Sequence, residues 1–99
     1  MAIAKLSIET EFLREFAQTY ISEIAITTRA MDDLKRLGVG LADVIFVLQN
    51  GRVTISNKEE PEGAKWYVEG NTCDGENLSV SLHVWCDHYH VRVLRVYRF

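Results

Sequence analysis

Apolar residues recur at three- and four-residue spacing through the first half of the chain and at two-residue spacing through the second. Over residues 8–24, Phe12, Leu13, Phe16, Tyr20 and Ile24 fall on one face of a 3.6-residue helix. Ser7 is placed to cap its start, with Glu9 and Glu11 in the first turn, where negative charge complements the helix dipole. A second helix is expected to begin after Thr27 or Thr28, with Ala30, Met31, Leu34 and Leu37 as its stripe and Gly38 as a left-handed stop. Leu41, Val44, Ile45 and Leu48 predict a third helix over 41–49. Asn50-Gly51 offers a rival reading, two strands over 43–56 joined by a hairpin turn. The complete helical match favours the helix, with Gly51 ending it.

From Arg52 the period is two, with Val53 and Ile55 alternating against Arg52, Thr54 and Ser56. Residues 57–63 hold the only proline and three glutamates and read as an exposed connection. A strand over 65–73 sets Trp66 and Val68 against Tyr67 and Glu69, and Asp74-Gly75 then turns the chain into the clearest strand. There Leu78, Val80, Leu82, Val84 and Cys86 face one side, and Ser79, Ser81, His83 and Trp85 the other. A turn over 87–89 leads to a last strand over 91–99. The expectation is one α+β domain over 1–99, its N-terminal helices packed on a roughly four-stranded antiparallel sheet.

Ninety-nine residues with 47% apolar content suffice for one core, which excludes a multidomain enzyme. No apolar run approaches the roughly 20 residues that cross a bilayer, and the first residues lack the pattern of a secretory signal, so a cytoplasmic location is expected. Cys73 and Cys86 are then thiols. The net charge of -3 conceals three zones. Residues 1–58 carry seven acids and seven bases; residues 59–87 carry seven acids against Lys65 alone; residues 88–99 carry Arg92, Arg95 and Arg98 and no acid. The acidic balance argues against indiscriminate nucleic-acid binding and leaves room for a local basic strand that meets phosphate.

That strand and its neighbour concentrate the titratable groups. His83, His88 and His90 are possible proton carriers beside Arg92, Arg95 and Arg98, the ingredients of phosphodiester cleavage: a base, an acid and cations for the charged transition state. Strict alternation would put His90, Arg92, Leu94, Val96 and Arg98 on one face and Val91, Val93, Arg95, Tyr97 and Phe99 on the other. The ordinary alternative is a solvated strand face with histidines in a turn. Cys86-x-His88-x-His90 lacks zinc-finger spacing, and no metal or other cofactor is expected. Helix 41–49 has no basic residue, which disfavours a helix-turn-helix reader of DNA. Trp66, Tyr67 and Trp85 suit base stacking or, more ordinarily, cross-strand packing.

Two segments carry a family likeness. The run from Arg29 through Asp32-Asp33-Leu34, Gly38-Val39-Gly40 and Asp43 to Gly51 resembles the helical signature of a small bacterial domain-of-unknown-function family allied to RelE-type and BrnT-type toxins. Trp66 to Gly70, Asp74-Gly75, Leu78 to Val80 and Val91 to Tyr97 are similar to its closing strands. The likeness covers residues 29–97 and implies a RelE- and barnase-like fold, RNA cleavage without metal and control by a partner antitoxin. Family members usually have histidine where this chain has Arg29, and threonine where it has Arg95. A toxin-like domain of this kind would use His83 or His90 as acid or base, and Arg29, Arg92, Arg95 or Arg98 to bind phosphate. The competing expectation is a non-catalytic interaction module, such as an immunity protein or phage-encoded inhibitor. Its acidic surface at Glu59, Glu60 and Glu62 would occupy a basic groove of a nucleic-acid-binding partner. An edge strand near Arg52 offers a homodimer contact.

Overall fold

The computed structural model describes residues 2–58, 63–85 and 90–99. Helix α1 spans Ala2–Thr19 and is followed by a 3-10 turn at Ile21–Glu23 and a short strand β1 at Ile24–Ile26. Helices α2 (Thr28–Leu37) and α3 (Leu41–Asn50) come next, then strands β2 (Arg52–Lys58), β3 (Ala64–Asn71), β4 (Asn77–Trp85) and β5 (His90–Arg98). The sheet order is β1-β5-β4-β3-β2, with β1 parallel to β5 and every other pairing antiparallel. The α+β class therefore holds, with five strands in place of four.

The first helix departs from its expected bounds at both ends. Ser7 lies inside α1 and not at its cap, and Ile24 belongs to β1, where it pairs with Val91. The expected positions of the other two helices hold, although Met31 and Leu41 of their expected apolar stripes are exposed. Thr27 caps α2 by accepting from the Ala30 N–H at 3.1 Å, and Gly38 ends it with φ at 69°. Helix α3 ends at Asn50, so Asn50-Gly51 is a helix stop and not a hairpin turn.

All three helices supply one core. Leu13, Phe16 and Ala17 from α1, Ala30 and Leu34 from α2, and Val44, Val47 and Leu48 from α3 meet Val68, Leu78, Val80, Leu82, Val84, Val91, Val93 and Val96 on the inner face of the sheet. Phe12 meets the edge of Trp66 with ring centroids 5.9 Å apart. Burying so many large apolar side chains, each contributing roughly 1.5–3 kcal/mol, gives the domain its main driving force.

Two bulges disturb the alternation. Val53 pairs with Val68 but Ile55 pairs with Tyr67, so Thr54 is the extra residue and Ile55 turns to the outer face, 48% exposed. Leu94 is likewise unpaired between Leu82–Val93 and Ser81–Arg95. Upstream of Leu94 the outward residues are His90 and Arg92; downstream they are Arg95 and Tyr97.

Each side of the sheet is tied to a helix. At β2, the Val53 N–H donates to the Thr10 hydroxyl of α1 at 2.9 Å. At β5, beyond the end of β1, the Val96 N–H donates to the Asp33 carboxylate of α2 at 3.0 Å, and the Thr27 hydroxyl donates to the Leu94 carbonyl at 3.1 Å. Asp33 is 1% exposed and occupies the inward position expected of Met31, which is 42% exposed. Thr10→Val should cost about 1–2 kcal/mol in urea unfolding, because it leaves a buried N–H without an acceptor. A cost near zero would show that the bond contributes nothing.

Candidate functional site

The described helices pack on the inner face or along the edges, leaving the outer face of the central strands open. Outward residues align in rows across neighbouring strands. Lys65, His83 and Arg92 form one row, Tyr67, Ser81 and Arg95 the next, and Glu69, Ser79 and Tyr97 a third. Trp85 pairs with His90 beside the first row. Like charges in directly opposed strand positions repel one another, and β3, β4 and β5 bring three groups able to carry positive charge into one line.

Trp85 organises this cluster. Its ring lies 4.0 Å from that of His83 at 26°, a stacked arrangement, and 5.1 Å from that of His90. The Arg92 guanidinium carbon stands 5.4 Å from the same indole, within cation–π range. Gly63 borders the cluster at φ 98°, and a Cβ there would lie 2.6 Å from His83 Nε2 and 2.7 Å from the Val84 carbonyl oxygen. Only glycine combines that backbone angle with such close approach to the imidazole.

Of the residues expected to form a site, His83, His90 and Arg92 come together. Arg95 and Arg98 are held in other contacts. Arg95 donates to Asp33 from Nε at 2.8 Å and from Nη2 at 3.1 Å, with its guanidinium near the Tyr97 ring. The Arg95 bond is the largest influence holding the Asp33 carboxyl well below the usual carboxylate range; burial opposes it, and the Val96 N–H and Arg36 reinforce it. Asp33 in turn raises the Arg95 guanidinium above its ordinary value. Arg98 bridges to Glu76 at 2.9 Å and donates to the Leu37 carbonyl at 2.8 Å. Arg29 is exposed in the first turn of α2. Glu59, Glu60, Glu62, Cys86 and His88 lie outside the described residues, and Cys73 is exposed.

Two members of the cluster were missing from the sequence reading as site residues. Lys65 stands alone in an acidic zone of the sequence, and Trp85 suits stacking or packing as well as a site. The alternation of β4 puts His83 and Trp85 on one side, but Arg92 comes opposite His83 only because Trp85 pairs with His90, a register that the expected turn over 87–89 does not give.

No family model matches the chain, and searches of curated proteins and of solved structures likewise return no match. Among the described residues, no helix is long and apolar enough to cross a membrane.

Proposed function

We propose that the open sheet face binds RNA and cleaves it without metal, in the manner of a toxin-like ribonuclease domain. The observation that carries this reading is the gathering of His83, His90 and Arg92 around the single indole of Trp85. Two imidazoles supply both proton transfers of a transesterification. One takes the proton of the ribose 2′-hydroxyl as that oxygen attacks phosphorus, and the other gives a proton to the departing 5′-oxygen. Arg92 and Lys65, in line with His83, hold the non-bridging oxygens as negative charge builds on them. The products are a 2′,3′-cyclic phosphate and a free 5′-hydroxyl. The likeness of residues 29–97 to RelE- and BrnT-allied proteins supports the same chemistry, with an antitoxin as the controlling partner.

Purified protein incubated with RNA in the presence of a chelator should yield fragments ending in cyclic phosphate. His83→Ala and His90→Ala should each slow the reaction by roughly 10²–10⁴-fold, the range of a lost acid or base. Intact RNA with the wild-type protein, or unchanged cleavage by the double variant, would overturn the reading.

A further inference from the structure

A second feature lies at the other end of the sheet, where the ends of β3 and β5 meet α1 and the corner between α3 and β2. Asn71 and Asn77 pair across β3 and β4, and the Phe99 N–H donates to the Asn77 carbonyl at 3.1 Å, which brings Phe99 beside them, 59% exposed. The Asn71 amide donates to the Asn77 side-chain oxygen and fixes both groups. These residues line a groove of about 460 Å³ together with Glu69, Arg14 and Arg52. That volume lies within the roughly 300–1,000 Å³ typical of small-ligand sites. Arg14 is anchored in it, donating from Nε to the Gly51 carbonyl at 2.9 Å and from Nη2 to the Asn50 carbonyl at 3.0 Å.

The groove holds three kinds of group that a nucleotide needs. An exposed aromatic ring offers a stacking surface for a base. A carboxylate and two amides offer acceptors and donors to its edge. Two guanidiniums outnumber the one carboxylate and suit a backbone phosphate. We propose that this groove is a second nucleotide subsite, its base on Phe99, its edge toward Glu69, Asn71 and Asn77, and its phosphate toward Arg14 and Arg52. The proposal rests on the RNA reading of the Trp85 cluster and extends it. His83 and Asn77 are six positions apart on β4, about 20 Å at the usual strand rise, so one RNA strand occupies both places only if it is several nucleotides long.

Fluorescence anisotropy with 2′-O-methyl oligonucleotides, which lack the attacking hydroxyl, tests this on the intact protein. An octamer should bind at least tenfold more tightly than a dinucleotide. Phe99→Ala should weaken the octamer by roughly tenfold, the effect of a lost base stack, and leave the dinucleotide unchanged. Arg52→Ala should weaken the octamer and flatten its salt dependence. Both side chains are exposed, so folding is not at stake. If both variants bind the octamer as the wild type does while Arg92→Ala weakens it, the second subsite falls and the RNA reading stands. If the wild type binds neither oligonucleotide, both fall.

Discussion

Asp33→Ala should lower stability by about 2–3 kcal/mol at neutral pH, a loss of roughly 10–20 °C in Tm for a domain of this size. The carboxylate is almost wholly buried and accepts from the Arg95 guanidinium, the Arg36 guanidinium and the Val96 N–H. Alanine removes all these acceptors and leaves a buried strand N–H unpaired. The cost falls short of the upper limit for a broken buried pair because Arg95 keeps 32% of its side chain in water. A pH series adds a second signature. Because Asp33 has a depressed carboxyl in the folded state, its contribution is present above the unfolded-state value near 4 and is lost as pH falls through the folded value. Urea unfolding should therefore show a steeper acid loss in the wild type than in Asp33→Asn below about pH 4. Parallel acid profiles, or a cost below about 1 kcal/mol for the alanine variant at pH 7, would show that the clasp is not stabilising.

Gly51→Ala should be comparably severe, about 3 kcal/mol, at the upper end of the penalty for overpacking. A Cβ on Gly51 would lie 2.6 Å from the Glu69 carbonyl oxygen and 2.6 Å from the Val47 carbonyl oxygen, both backbone atoms with no rotamer to yield. Its neighbour is Gly70, whose own Cβ would approach the Gly51 Cα to 3.0 Å. The corner between α3 and β2 thus crosses β3 where two glycines meet. Gly38→Ala is the control: its Cβ would enter open space, and its left-handed backbone alone costs about 1 kcal/mol. Thermal unfolding of the two variants side by side separates steric from conformational cost. Equal losses would refute the steric account.

The contrast between Gly51 and Gly38 shows what was legible in the sequence. Gly38 follows an apolar stripe and announces a helix end, as the structure bears out. Gly51 announces the end of α3 equally well, but its crowding depends on β3, which the local pattern cannot place. The core stripe of β4 was readable residue by residue because Leu78, Val80, Leu82 and Val84 alternate without interruption. Strand β1 was not, since Ile24 continues the helical spacing of α1 and three residues are too few to establish a period of their own. Asp33 escaped because a stripe counted from apolar residues selects Met31, whereas burial of a carboxylate depends on Arg95, 62 positions away. The division of labour among the C-terminal arginines was hidden by Leu94. An uninterrupted alternation groups Arg92 with Arg98 and separates Arg95; the bulge sends Arg92 and Arg95 outward and leaves Arg98 to reach the end of α2.

The paired edge contacts have a consequence for how copies of this chain behave at high concentration. An uncovered strand edge is a template on which another strand can add, and repeated addition leads to aggregates. Here the Thr10 hydroxyl fills one such position on β2 and the Asp33 carboxylate one on β5, so at those two positions a recruiting backbone N–H already has its partner. The bulge at Thr54 further bends β2 away from a flat template. The two polar groups that the core encloses at its margins therefore also guard the folded chain against polymerisation.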